Sequence, residues 1–130
     1  MDENQISYHI IGRALEIHRK LGPGLLESAY EKILAYELRK IGMLVECQVS
    51  KPLKWESIEI EKAYRIDLIV ENKVIVELKC LDEVNPVHFS QLLTYLKLSD
   101  LKLGLILNFK TKILKDGIYR VANGLEDKST

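Results

Sequence analysis

Apolar residues recur at helical spacing at the start of the chain, where Ile6, Ile10, Ala14 and Ile17 form one stripe and Gly22-Pro23-Gly24 stops the pattern. A second helix begins near Leu25, places Glu27, Tyr30, Glu31 and Leu34 on one face, and ends at Gly42. The pattern then turns extended, predicting strands over Leu44 to Trp55, Ile58 to Val70 with a break near Lys62, and Val74 to Leu81. Pro86 suits the start of a third helix, which carries His88, Gln91 and Tyr95 at i, i+3 and i+7. Strands near Leu103 to Asn108 and Ile118 to Val121 follow. The element order is α-β-β-β-α-β behind an extra N-terminal helix.

Charge interrupts two strands that otherwise read as buried. Leu68 to Val70 and Val74 to Leu78 are apolar except for Glu77, and Glu71-Asn72-Lys73 supplies a polar turn, so a β-hairpin is predicted. Counting by twos puts Ile75, Glu77 and Lys79 on one face and Val74, Val76 and Leu78 on the other. The antiparallel partner brings Asp67 beside them, which gathers two carboxylates and one ammonium at one end of a sheet. Converging carboxylates repel unless a cation sits between them, and hard oxygen donors select Mg²⁺ or Mn²⁺ over zinc. An ammonium there can orient or help deprotonate a metal-bound water and offset charge developing on a phosphate. The plain alternative is a same-face ion pair between Glu77 and Lys79, with Asp67 merely ending a strand.

The chain has 130 residues, 47% of them hydrophobic, and no Pro/Gly/Ser-rich linker, so one domain over residues 1–130 is expected. Cys47 and Cys80 lack zinc-ligand spacing, and free thiols in a reducing compartment are expected. The N-terminus is polar and no run approaches the ~18 apolar residues of a membrane span, so the expectation is a soluble, cytoplasmic protein without a membrane partner. With 19 basic and 19 acidic residues the formal net charge is zero, which argues against a strong nonspecific hold on duplex nucleic acid through the overall field. Lys97, Lys102, Lys110, Lys112, Lys115 and Arg120 outnumber Asp100 and Asp116 in the C-terminal part. They form either a local basic surface or a set of solvated lysines on strand edges.

The arrangement of Asp67, a hairpin's worth of apolar residues and Glu77-Leu78-Lys79 resembles the minimal signature of the PD-(D/E)XK nuclease superfamily. Gly24-Leu-Leu-Glu27-Ser-Ala-Tyr30 is similar to the G-x-x-E-x-x-Y signature of the GxxExxY family, a small branch of that superfamily. Ile11-Gly12, His18, Leu21 to Gly24, Tyr64 to Asp67, Gln91 to Leu96, Gly104-Leu105, Asn108-Phe109 and Asp116 to Arg120 look like the same family's pattern, so the resemblance spans roughly residues 4 to 123. Ile66 stands where the superfamily's name has proline.

The resemblance implies an α/β fold of the α+β type: a restriction-endonuclease-like core in which a mixed sheet is flanked by helices. It implies a metal held by Asp67, Glu77 and the Leu78 carbonyl, with Lys79 positioning or activating water. Glu27 would support a second ion from its helix; its structural alternative is a carboxylate placed at the positive end of the helix dipole. Gln91 and Tyr95 resemble the Gln-x-x-x-Tyr motif of exonuclease-like members and would hold the substrate strand, or else form a polar helix face with Tyr95 in the core. Tyr30 is expected to pack its ring and turn its hydroxyl to the edge of the site, where it joins the substrate-binding set. His88 is at most a minor candidate, and His9 and His18 are read as nonmetal residues.

The leading expectation is a Mg²⁺-dependent (or Mn²⁺-dependent) phosphodiesterase acting on nucleic acid, DNA ahead of RNA, with a homodimer or a partner protein extending its surface. The competing class is a noncatalytic nucleic-acid-binding or regulatory module that keeps the fold. A third is metal-dependent chemistry on a nonpolymeric phosphate.

Overall fold

The computed structural model describes residues 1–125, so the last five residues of the expected 1–130 domain lie outside it. Helices α1 (Glu3–Leu21) and α2 (Glu27–Lys40) are followed by strands β1 (Val45–Trp55), β2 (Ile58–Val70) and β3 (Val74–Lys79). Helix α3 (Pro86–Ser99), strand β4 (Leu103–Asn108), a short 3₁₀ turn (Leu114–Gly117) and strand β5 (Ile118–Ala122) complete the order. The five strands form one sheet in sequence order, with β3 and β4 parallel and every other neighbouring pair antiparallel. A parallel pair needs a long crossover, and α3 supplies it. The fold is therefore α+β, a five-stranded mixed sheet flanked by helices.

The apolar stripes account for the layers. Ile6, Ile10, Ala14 and Ile17 of α1 and Tyr30, Leu34 and Leu38 of α2 pack with Leu68, Val70, Val74, Val76 and Leu78 on one sheet face. Leu92 and Leu96 of α3 pack with Ile66, Ile69, Ile75 and Ile106 on the other. Gly104 of β4 lets α3 come this close, because a Cβ there would lie 2.7 Å from Leu92 Cδ1. Helix ends are fixed locally. Asp2 accepts the Gln5 N–H at 2.8 Å while the Gln5 side chain accepts the Asp2 N–H at 2.9 Å, a reciprocal cap on α1. His88 Nδ1 accepts the Asn85 N–H at 3.0 Å, which gives that histidine a place in the start of α3.

Helix α2 is shorter than the sequence reading at both ends, and two strands differ from it as well. Strand β2 runs unbroken through Lys62; the irregularity lies in the register between Lys51 and Leu53 of β1, where Pro52 sits on an edge strand that can spare an N–H. Strand β3 ends at Lys79 rather than Leu81. The buried Asn108 side chain accepts the Leu81 N–H at 3.0 Å and donates to the Leu81 carbonyl at 2.9 Å, which draws that segment off the ladder. Among the described residues no helix is long and apolar enough to cross a membrane.

Candidate active site

The β2–β3 ladder pairs Val70 with Val74, Ile69 with Ile75 and Leu68 with Val76, and there it stops. One step further Asp67 faces Glu77, and their carboxylates take over the role of the backbone acceptors. Glu77 Oε2 accepts the Asp67 N–H at 3.0 Å, and Asp67 Oδ2 accepts the Leu78 N–H at 3.0 Å. Because the N–H and C=O of one strand residue point to the same edge, the Leu78 carbonyl also opens into this gap. Glu77 is only 5% exposed. Burial pushes its carboxyl up to about 8, the nearby Asp67 pushes it the same way, and the Asp67 N–H and the Lys79 charge work against both.

A slip in strand alternation aims Asp67. Ile66 belongs to the core under α3 and Leu68 to the core under α1 and α2, although residues two apart on a regular strand share a face. Strand β1 makes the same change between Val45 and Val49. Between them Gln48 has φ 51°, and it stands across from Asp67, flanked by the pairs Cys47↔Leu68 and Val49↔Ile66. Local irregularities of this kind re-aim a side chain. The Gln48 amide donates to Glu31 Oε1 at 2.5 Å and lies 3.4 Å from Asp67 Oδ1, tying α2 to the sheet at this point.

Helix α2 brings two more carboxylates. A cavity of about 570 Å³ is lined by Glu27, Glu31, Lys32, Gln48, Arg65 and Asp67 among others. Burial raises the pKa of Glu27, Asp67 raises it further, and the Lys79 charge opposes both. Glu31 is raised by burial, with the Gln48 hydrogen bond opposing and Asp67 adding to the rise. Lys79 is half-buried at the end of β3, and its charge acts on both Glu27 and Glu77. Asp67, Glu77, Lys79 and Glu27 are thus brought to one place.

Helix α3 contributes unequally. Tyr95 is half-buried, stacks on Tyr64 with ring centroids 4.9 Å apart, and has its hydroxyl pushed upward by burial and then by Glu77 and Asp67. Gln91 is exposed one turn earlier and lines none of this cavity. Tyr30 packs its ring as expected, and only its place in the substrate-binding set requires a correction. It is fully buried with its ring stacked on Phe109 at 4.4 Å, so it cannot touch a substrate. Its hydroxyl donates to the Gly22 carbonyl at 2.5 Å and accepts the Leu25 N–H at 3.0 Å, which fixes the loop that leads into Glu27. His18 is buried too, with Nε2 3.2 Å and 2.9 Å from the Phe109 and Thr111 carbonyls. Carbonyls only accept, so that nitrogen carries a proton and is no metal donor.

Glu31, Gln48 and Arg65 join the site beyond the residues singled out from sequence. Glu31 had a legible signal, lying four residues after Glu27 on the same helical face. Arg65 precedes Asp67 by two. Gln48 had none, because its position depends on the left-handed backbone.

Among the described residues no group of three or more His, Cys, Asp and Glu side chains forms a metal cage. The donors that meet at the gap are the Asp67 and Glu77 carboxylates, with the Leu78 carbonyl on the strand edge that faces it and Glu27 near enough to feel the Asp67 charge. This all-oxygen set, with one carboxylate buried against another, suits a hard divalent cation that keeps several waters. A family model described as the PD-(D/E)XK nuclease superfamily matches residues 4–121. No curated protein and no solved structure matches the chain.

Proposed function

The chain belongs to the PD-(D/E)XK nuclease superfamily, and from that premise we propose that it hydrolyses phosphodiester bonds in nucleic acid with Mg²⁺ or Mn²⁺ held by Asp67, Glu77 and the Leu78 carbonyl. The observation that carries this reading is the open end of the β2–β3 hairpin, where two carboxylates replace ladder bonds and Lys79 follows on the same strand. A bound ion would supply Lewis acidity toward the phosphate and toward water. The side chains do the rest. Lys79 orients the attacking water and offsets charge on the non-bridging phosphate oxygens. Glu27 accepts a hydrogen bond from water across the cavity or supports a second ion through it. Gln48 holds Asp67 and Glu31 in place, so it acts by positioning. Tyr95, beside the carboxylates, contacts the strand being cut, with Gln91 at the outer edge.

Within the superfamily we assign the chain to the GxxExxY branch. The spacing has a physical rationale here: Glu27 faces the cavity in the first turn of α2, and the Tyr30 hydroxyl locks the preceding loop. We take residues 1–130 as one domain. The two cysteines, unpaired in the structure, suit a reducing cytoplasm.

The test is to incubate the protein and its Lys79→Ala variant with single-stranded, duplex and branched DNA and RNA in Mg²⁺, Mn²⁺ or EDTA. Metal-dependent cleavage that fails in the variant supports the reading. If neither protein cuts any substrate, the chain is a noncatalytic module that keeps the fold, and cleavage at equal rates in both points to a contaminant.

A further inference from the structure

Strand β2 pairs with β3 only from Leu68 to Val70, so the remainder of β1 and β2 projects as a two-stranded ribbon. Val49 and Tyr64 pack against the core under α3, which assigns one face of the ribbon. Cross-strand partners and alternate residues share that face. It therefore carries the pairs Lys51↔Tyr64, Leu53↔Ile60 and Trp55↔Ile58, with Lys62 between Ile60 and Tyr64. Trp55 is 64% exposed, Ile58 55% and Ile60 42%, and nothing among the described residues covers them.

Three observations indicate what does. Among the described residues of the ribbon, alternation puts Lys51 and Lys62 on this face, Lys62 in the stretch between Ile60 and Tyr64 that β1 leaves unpaired; Glu59 pairs with Lys54 on the opposite face, alternation puts Glu61 there too, and Glu56 lies in the turn. A second copy docking face to face would offer those lysines no counter-charge, whereas a polyanion does. Aromatic and broad aliphatic side chains flanked by lysines suit unpaired bases, which a duplex hides. The face is also continuous with the candidate site. Tyr64 stacks on Tyr95, and the Tyr95 hydroxyl lies close enough to Glu77 and Asp67 to feel their charge. From Tyr64 to Ile58 the strand extends about 20 Å, the reach of a few nucleotides.

We propose that this ribbon face is a track for single-stranded nucleic acid, with bases stacking along Trp55, Ile60 and Tyr64 and phosphates meeting Lys51 and Lys62. The track rests on the phosphodiesterase reading and narrows its substrate to a single strand or a single-stranded end.

Trp55 is the chain's one tryptophan, so its fluorescence reports directly. The full chain in EDTA is titrated with single-stranded oligothymidylate and with a blunt hairpin duplex. Saturable quenching by the single strand, and much less by the duplex, is expected. Replacing both Lys51 and Lys62 by Ala should flatten the log–log salt dependence by about 1.4, two phosphate contacts on a single strand. Trp55→Ala, exposed and free of core contacts, should weaken binding measured by anisotropy roughly 5- to 150-fold, one lost stacked base. Quenching that grows with protein concentration alone, with a dimer in sedimentation, would make the ribbon a self-association face and overturn the track. So would absence of quenching in a protein that still cleaves in a Lys79-dependent way, and that outcome would leave the phosphodiesterase reading intact. Quenching without any cleavage would instead keep the track and remove the reaction.

Discussion

The two ends of the β2–β3 hairpin are built from the same strands and behave differently. At the turn end, Leu68, Ile69 and Val70 meet Val76, Ile75 and Val74 in a regular ladder between two apolar layers. At the open end, Asp67 and Glu77 each take a backbone N–H from the other strand, and one carboxyl is buried beside the other. The first arrangement adds stability through burial. The second gives stability up, since a carboxylate crowded against another in a poorly solvated position favours its neutral form. A sheet that kept its ladder one pair longer would have no gap and no converging oxygens.

The largest consequence concerns rate. Lys79→Ala should lower cleavage roughly 10²- to 10⁴-fold, the scale of a lost positioned charge or proton-transfer group, with single-turnover assays as the readout and substrate binding nearly unchanged. At the turn end the effect should fall on folding instead. Leu68→Ala, at a fully buried position, should cost about 2–5 kcal/mol in urea denaturation and leave metal affinity per folded molecule intact.

The pH dependence of stability separates the ends further. In EDTA, the folded chain holds the Glu77 carboxyl up to about 8 against an ordinary 4.5, so between those values the folded state retains a proton that the unfolded state has released. Stability is complete below the ordinary value and falls as pH rises through about 8, by something of order 5 kcal/mol across the window. Urea titrations at several pH values should show this slope, and Glu77→Gln should flatten it while keeping an acceptor for the Asp67 N–H. A slope equal in wild type and variant would assign the pH dependence elsewhere. The smallest expected effect belongs to Gln48→Ala, which should weaken Mn²⁺ binding by about tenfold, the low end for an outer residue that orients metal ligands, with melting temperature little changed.

Much of this contrast was legible in the sequence. The apolar stripes of α1, the hairpin between Asp67 and Lys79, and the sorting of Ile75 from Val74, Val76 and Leu78 all follow from periodicity, because each depends on near neighbours. What was illegible depends on distant partners. The packing of the Tyr30 ring was legible, but its hydroxyl goes to the Gly22–Leu25 loop and its ring lies full depth against Phe109, just past the end of β4, so its exclusion from the substrate surface could not be read locally. The early end of β3 depends on Asn108 capturing Leu81. Gln48 enters the site only because its backbone is left-handed and the alternation slips there, and glutamine carries no sequence signal for either.

The central claim is that the open end of the hairpin is shaped for a divalent cation. Calorimetric titration of Mn²⁺ at pH 8, paired with thermal melts, tests it on wild type and Asp67→Asn, whose amide oxygen can still accept the Leu78 N–H. The account predicts weak binding and a metal-dependent rise in melting temperature for wild type only, with the metal-free variant as stable as wild type or more so. An Asp67→Asn variant that binds Mn²⁺ as wild type does, or that unfolds while wild type shows no metal response, would make the carboxylate pair a structural feature and contradict the account.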